Sequence, residues 1–181
     1  VHLGAWYSRR RLSDEMVRYR QRPEIHTAAR FVDTGMFEAD QADVMGLEAA
    51  AIFGPVHLQG EWIQSDLDAT KSPSTAASYG SDYGNPEFDG WYGQAGVFLT
   101  PGDHRRYKAK TGAMDRTKPR SNYGDEDGMG ALEALIRYSE LDLSDKHIDG
   151  GCLKDITVGL NWYLNPNTRV MINWVRSNPK Y

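Results

Sequence analysis

The sequence predicts an all-β fold, namely a fragment of an antiparallel transmembrane β-barrel with about eight strands. Segments of alternating apolar and polar residues recur along the chain, as expected of strands whose two faces meet different surroundings. Only 40% of the 181 residues are hydrophobic, and no stretch approaches the roughly 20 apolar residues that a spanning helix requires. The 5 Trp and 10 Tyr suit the aromatic rows that border the apolar band of such barrels. These observations exclude a helical membrane protein and favour a barrel.

The alternation is clearest in residues 154–164, where Ile156, Val158 and Leu160 alternate with Thr157 and Asn161. Residues 47–52 and 131–136 also contain good helix formers. Their place in a run of hairpins favours strands for both segments. The predicted strands cover residues 1–9, 24–33, 43–53, 56–67, 88–100, 129–142, 154–164 and 168–176.

The connections between these strands alternate between short and long. Gly54-Pro55 and residues 165–167 are short turns, whereas residues 68–87 and 144–151 are polar loops. Outer-membrane barrels show this asymmetry, with short periplasmic turns and longer external loops. The strand directions are consistent if residues 101–128 form one long segment on the periplasmic side that folds into the barrel.

The sequence is expected to be the C-terminal part, residues 1–181, of a single larger barrel domain. It begins at Val1 inside a predicted strand, and residues 177–181 have the composition of a loop that leads to another strand. A barrel must close, because no strand edge can stay unpaired in lipid. We therefore expect about as many strands again, missing mainly on the N-terminal side.

No catalytic or metal site is predicted. The sequence has no convincing pair of nucleophile and base and no glycine-rich phosphate loop, and its five His residues lack the spacing of metal ligands. Its single cysteine, Cys152, cannot form an internal disulfide. We expect no enzymatic activity, no cofactor and no nucleic-acid partner.

The basic segment 101–128 is the main candidate for a binding function, because long segments without regular structure are usually functional. If it folds into the pore, its ammonium groups would hold a passing anion as compact point charges. Weak binding of this kind permits both entry and exit. A solvated loop that touches anionic headgroups is the alternative, and spacing alone does not decide between them. The basic residues are Arg105, Arg106, Lys108, Lys110, Arg116, Lys118 and Arg120.

Arg18, Arg20 and Arg22 recur at every second position, so they project from one side of an extended chain. Such a row would offer an anion successive planar donor forks. An exposed basic turn is the alternative, and the predicted position near a periplasmic end counts against the row. Arg30, Arg137 and Arg169 are weaker candidates for the pore.

Two further groups of residues bear on the barrel. Trp62, Trp91, Trp162 and Trp174, together with Trp6 and Tyr138, are candidates for the aromatic rows at the membrane boundary, although a soluble core would use the same residue types. Glu48, Glu61 and Glu133 fall on the predicted inner faces. They are expected either to pair with the arginine row or to reduce anion selectivity.

Several stretches, in order over most of the chain, resemble the phosphate-selective porins of the O/P type. The last hairpin, residues 157–171 (TVGLNWYLNPNTRVM), is the most specific, and it follows residues 130–143 (GALEALIRYSELDL). The other stretches are 22–24 (RPE), 29–35 (ARFVDTG), 54–61 (GPVHLQGE) and 98–108 (FLTPGDHRRYK).

The resemblance implies a homotrimer of sixteen-stranded barrels in the outer membrane of a Gram-negative bacterium, surrounded by lipid and lipopolysaccharide. This chain would lack the first half of the barrel and the final strand. An arginine ladder, with Arg18, Arg20, Arg22 and Arg116 as candidates, would guide anions. Lys108 and Lys118 would hold them at the constriction, since both lie in the family-like frame from Tyr107 to Pro119.

Three functions therefore compete. The first is passive diffusion of phosphate or related oxyanions through the pore. The second is a barrel of the same fold that acts as a general porin or as a structural scaffold for a partner complex. The third is a soluble β-sandwich whose aromatic residues stack on carbohydrate.

Overall fold

The computed structural model describes residues 1–12, 16–69 and 84–181. Every regular element within these ranges is a β-strand. These ranges contain no helix that is long and apolar enough to cross a membrane. The strands are β1 (His2–Arg11), β2 (Met16–Val17), β3 (Arg20–Gln21), β4 (Val32–Asp33), β5 (Phe37–Glu38), β6 (Gln41–Phe53), β7 (Val56–Asp68), β8 (Glu87–Phe98), β9 (Tyr107–Lys108), β10 (Ala113–Met114), β11 (Ala131–Asp145), β12 (Ile148–Asn165) and β13 (Thr168–Lys180).

The long strands form one seven-stranded antiparallel sheet in the order β1-β6-β7-β8-β11-β12-β13. Six two-residue strands form three small ladders, β2 with β5, β3 with β4, and β9 with β10. The all-β antiparallel prediction is confirmed. The segments 47–52 and 131–136, for which a helix was also considered, lie inside β6 and β11.

The predicted strand at 24–33 is wrong. The connection between β1 and β6, called the segment 12–40, is described at residue 12 and at residues 16–40. Its described residues are irregular, and their pairing consists of short ladders such as Arg20–Gln21 with Val32–Asp33. Phe31 and Val32 of this connection pack in the apolar cluster of the sheet without pairing as part of a long strand. Because residues 24–33 do not form a strand of the main sheet, β1 pairs directly with β6. The connection between β1 and β6 therefore leaves the sheet at the end opposite to the predicted one.

The two ends of the sheet carry different connections. The end that we call the Pro55 end bears the turn at Gly54-Pro55, the segment 99–130 and the turn at Pro166-Asn167. The other end, called the Lys146 end, bears the segment 12–40, the described residues next to the end of β7 and the start of β8, and a turn at Lys146-His147. The predicted loop 144–151 is wrong, because β11 and β12 run to this two-residue turn. The predicted loop 68–87 lies largely outside the described residues.

The two faces of the sheet differ in chemistry. One face, called the covered face, carries the buried residues of the strands, which include Leu67, Glu133 and Asn161. The segments 12–40 and 99–130 contact this face. The opposite face, called the open face, exposes apolar side chains such as Val158 and Ile172. The predicted apolar faces of the seven strands thus all lie on one side of the sheet.

Candidate functional site

The segment 12–40 packs on the covered face near the Lys146 end. Val32 and Phe37 are each 1% exposed and lie in one apolar cluster with Leu67 and Leu153 of the sheet. The rings of Phe37 and Phe88 meet edge to face, with their centres 6.3 Å apart. Burial of this kind fixes the connection to the sheet.

Glu24 ties the same segment to the middle of the covered face. Its carboxylate accepts hydrogen bonds from Arg137 Nε at 2.5 Å, from Ser139 Oγ at 2.8 Å and from Thr157 Oγ1 at 2.5 Å. Its backbone N–H also donates to Asp155 Oδ2 at 3.1 Å. Glu24 and Arg137 are partly exposed, at 21% and 30% of their side-chain surface. We call this arrangement the Glu24 clamp.

A cluster of guanidinium groups lies next to the Glu24 clamp. Arg20, Arg22 and Arg30 line one open pocket of about 410 Å³ together with His26. Arg22 Nε is buried and has no hydrogen-bond partner among the described residues. Arg20, more than any other influence, lowers the pKa of the Arg30 guanidinium from its usual value, because the two like charges repel. Glu24 also lines the pocket, but its carboxylate is paired with Arg137. The pocket therefore holds three guanidinium groups and one carboxylate that is already paired.

Arg18 differs from its neighbours in the row. Its Nε donates to Asp33 Oδ1 at 2.7 Å and its Nη2 donates to Asp33 Oδ2 at 2.5 Å. This hydrogen bonding holds the pKa of the Asp33 carboxyl below its usual value. A guanidinium that is paired at two nitrogens has less capacity for an anion. Arg18 therefore differs from Arg20 and Arg22, which line the pocket with Arg30.

The segment 99–130 is held at Glu133, a carboxylate of β11 that is 0% exposed. Its two oxygens accept five hydrogen bonds, from His57 Nε2 (2.7 Å), Arg105 Nε and Nη2 (3.0 Å each), Asn161 Nδ2 (2.7 Å) and Tyr163 OH (2.9 Å). Only Arg105 belongs to the segment. We call this arrangement the Glu133 clamp.

Small residues make room for the Glu133 clamp. A Cβ at Gly96 would lie 2.2 Å from His57 Nε2, so the His57 ring rests against the backbone of β8. The spacing of the five histidines did not predict that His57, which is 4% exposed, belongs to this buried cluster. Its alternation with apolar neighbours in β7 was the available signal.

The segment 99–130 crosses the covered face from β11 to β1. Tyr107 OH lies 2.5 Å from His2 Nδ1, and His2 Nε2 lies 2.9 Å from Glu48 Oε1. His2 belongs to the same cross-strand row as Ala50, Gln59, Gln94, Arg137 and Thr157. This row is also the row that the Glu24 clamp reaches. The two segments, which start from opposite ends of the sheet, thus meet the same row.

The predicted constriction lysines are both exposed on this segment. Lys108 follows Tyr107 in β9, and Lys118 follows Thr117, whose Oγ1 accepts a hydrogen bond from Arg105 Nη1 at 3.1 Å. Each lysine is therefore next to a residue that is tied to the sheet. Arg116 lies elsewhere, at the Pro55 end, where its Nη1 donates to Asn167 Oδ1 at 2.8 Å.

The acidic residues of the covered face do not pair with the predicted arginine row. Glu48 contacts His2, and Glu133 contacts Arg105 of the other segment. The Glu61 side chain makes no hydrogen bond or ion pair among residues 1–12, 16–69 and 84–181. Within the same ranges, no group of three or more His, Cys, Asp or Glu residues is arranged to hold a metal.

The four tryptophans predicted for the aromatic rows all lie on the open face. Trp62 and Trp91 pair directly across β7 and β8 toward the Lys146 end. Trp162 lies toward the Pro55 end, where its Nε1 donates to Met129 O at 2.7 Å. Trp174 pairs with Val158, midway between these positions along β12. Trp6, by contrast, lies on the covered face, against the backbone of Gly46.

Comparison with known proteins identifies the family of this chain. Residues 1–181 match the family described as "Phosphate-selective porin O and P". The chain belongs to this family. It is 33% identical over 180 residues to an uncharacterised protein of Caulobacter vibrioides, covering 96% of this chain and 33% of that protein. It is 23% identical over 205 residues to Porin O of Pseudomonas aeruginosa, covering 98% of this chain and 43% of that protein. The chain thus spans less than half the length of these relatives.

Proposed function

We propose that this chain forms part of an outer-membrane β-barrel of a Gram-negative bacterium, through which phosphate or related oxyanions diffuse passively. The observation that carries the proposal is the pocket of Arg20, Arg22 and Arg30 on a segment fixed to the polar face of the sheet. Guanidinium groups suit this task, because their planar forks match the oxygens of phosphate.

The open face would meet lipid. Between the Trp62–Trp91 pair and Trp162 it carries apolar residues such as Leu58, Ile136 and Leu160. Beyond the Trp62–Trp91 pair it becomes polar, with Asp89 and Asp142 directly opposite each other. An apolar band that is bordered by tryptophan and followed by charged residues is the surface expected of a barrel in a membrane.

The covered face would line the pore. The basic segment 101–128 would fold inward from the periplasmic side, and the segment 12–40 from the external side. Lys108 and Lys118 would then bind anions weakly near the narrowest part, after the arginine pocket has attracted them. Conduction requires such successive sites of moderate affinity. Assembly into a homotrimer within lipopolysaccharide is proposed from family membership.

The test is made on the whole protein in planar bilayers. We expect a reversal potential in a KCl gradient that indicates anion selectivity, and a chloride current that phosphate inhibits. Arg20→Ala combined with Arg22→Ala, and Lys108→Ala combined with Lys118→Ala, should each weaken the inhibition by phosphate by about tenfold or more. Arg11→Ala is the matched control, because Arg11 lies exposed on the open face of β1. Cation selectivity of the wild-type protein would refute the proposal, and unchanged inhibition in both double variants would refute the site assignment.

A structural scaffold with a closed pore is the second candidate. The packing of Phe37 and Val32 against the sheet fills the covered face near the Lys146 end, which favours it. The single-channel conductance decides between the two, because a closed scaffold would give no ion current in the same bilayers.

A further inference from the structure

We propose that Glu133 is a positioning residue for oxyanion selectivity, which acts through Arg105 to hold the hairpin of Lys108 and the adjoining Lys118 in place. The inference rests on the proposed function, because it concerns how the same pore keeps its cations in position. Glu133 itself would not touch the ion, since its oxygens already accept all five of the hydrogen bonds described above.

The first step of the argument is the rigidity of the Glu133 clamp. An ionised carboxylate has about four lone-pair sites, and this one meets five donors, which belong to β7, to β12 and to the segment 99–130. Arg105 binds both oxygens, and its Nη2 also donates to Tyr163 OH at 2.8 Å. A two-point guanidinium–carboxylate pair fixes direction as well as distance. The position of the Arg105 side chain is therefore determined by the sheet.

The second step is the place of Arg105 in the segment. Arg105 precedes the hairpin β9–β10, and Thr117 follows it. Because Arg105 Nη1 donates to Thr117 Oγ1 at 3.1 Å, a single guanidinium joins both ends of the hairpin to the buried carboxylate. The backbone adds one further link, from Asp115 N to Arg106 O at 2.7 Å. The hairpin thus extends from one fixed point toward His2.

The other attachments near this hairpin are exposed or lie outside residues 105–118. Arg116 meets Asn167 at an exposed contact, and the backbone N–H of Arg120 donates to Asp103 Oδ1 at 2.7 Å. The far side of the hairpin contacts His2 through Tyr107, and that contact is exposed. The apolar clusters of the described residues contain no residue of 105–118. Among the contacts of the described residues, the Glu133 clamp is consequently the buried side-chain attachment of residues 105–118 to the sheet.

Because Glu133 is negatively charged, its loss could change phosphate binding in two ways, through the charge alone or through the position of the lysines. Glu133→Gln removes one negative charge from the anion-conducting face, and by Coulomb attraction alone this should strengthen the binding of phosphate. Loss of the clamp should weaken it, because the lysines would no longer be held in position. The two explanations therefore predict opposite signs for the same variant.

The experiment measures inhibition of the chloride current by inorganic phosphate for the whole protein in planar bilayers. For Glu133→Gln we expect inhibition about tenfold weaker than for the wild type, while anion-over-cation selectivity is kept or increased. Glu61→Gln is the matched control, because it removes the same charge from the same face without breaking a described contact. It should leave inhibition by phosphate unchanged or slightly stronger.

Arg105→Lys supplies a second test that does not depend on Glu133→Gln folding. It keeps the charge but loses the planar fork, so phosphate inhibition should again weaken while single-channel conductance persists. Wild-type phosphate inhibition in both variants would overturn the inference while the proposed function stands. A wild-type protein that is not inhibited by phosphate would instead refute the proposed function itself.

Discussion

The two segments that cover the polar face are attached in opposite ways. In the segment 12–40 the carboxylate belongs to the segment and the arginine to the sheet, as Glu24 with Arg137. In the segment 99–130 the arginine belongs to the segment and the carboxylate to the sheet, as Arg105 with Glu133. The first clamp is partly exposed and assisted by an apolar cluster, whereas the second is buried and polar.

The two segments should therefore be sensitive to different substitutions. A buried ion pair adds little net stability by itself, but the loss of one partner leaves an uncompensated charge in a poorly solvated place. A partly exposed pair loses less, because water replaces the missing partner. The segment 99–130 should therefore depend on a few polar residues, and the segment 12–40 on many apolar contacts.

The largest effect is expected for Glu133→Ala. It removes the acceptor of Arg105 and His57 in a buried site, and should lower the free energy of unfolding by about 3–5 kcal/mol. Denaturant unfolding in lipid vesicles, followed by tryptophan fluorescence, measures this change. Glu61→Ala serves as the control and should change it by less than about 1 kcal/mol. Equal losses in the two variants would mean that the Glu133 clamp has no special importance.

A smaller effect is expected for Glu24→Gln. The variant weakens three hydrogen bonds to a partly exposed carboxylate, so the free energy of local opening of residues 20–30 should fall by about 1–2 kcal/mol. Amide hydrogen exchange reports this opening. Glu38→Gln changes the same charge on the same segment and should leave exchange there unaltered. A loss as large as that for Glu133→Ala would remove the contrast between the clamps.

Phe37→Leu tests the apolar attachment of the segment 12–40. The side chain is 1% exposed, and its replacement by a smaller one should cost about 1 kcal/mol. Hydrogen exchange of residues 31–40 should rise accordingly, whereas exchange of residues 105–118 should not. Met36→Leu is the control, since Met36 is 58% exposed. A wild-type exchange pattern in Phe37→Leu would contradict the packing role.

The smallest effect is expected from acid. The pKa of Asp33 is lowered from 3.8, chiefly by the hydrogen bonds from Arg18, so its contribution to stability is complete above pH 3.8 and is lost as the pH falls below that value. Protection of residues 18–35 from protease should then decrease below pH 3.8. In Asp33→Asn this part of the pH dependence should be absent. Protection that is independent of pH in the wild type would argue against the Arg18–Asp33 pair.

The sheet could be predicted because alternation is a local property. Ile156, Val158 and Leu160 predict an apolar face of their strand, whichever strands are its neighbours. The turns at Gly54-Pro55 and 165–167 fix the register of two hairpins. Two errors came from reading composition as structure. Polar residues at 144–151 belong to strands that continue to the turn at Lys146. Residues 24–33 form an irregular connection, in which Phe31 and Val32 pack against the apolar cluster.

The clamps could not be predicted in the same way. Glu133 was placed on the polar face, but nothing in the sequence pairs it with Arg105, which lies 28 residues earlier in an irregular segment. The partner of Glu24 lies 113 residues away. Such pairs depend on how the connections fold back over the sheet. Because residues 24–33 are not a strand, the segment 12–40 lies at the end of the sheet opposite to the predicted one. Lys108, Lys118 and Arg116 as anion sites remain predictions.

A role in a barrel requires that the open face contacts hydrocarbon and that the covered face contacts water. Single cysteines at 156, 157, 158, 160 and 161, in a Cys152→Ser background and labelled with bimane, test this requirement in vesicles that contain brominated lipid. We predict strong quenching by the lipid at 156, 158 and 160, and little at 157 and 161. Uniform quenching along β12, or protection of Val158 and Leu160 from the lipid, would contradict this role.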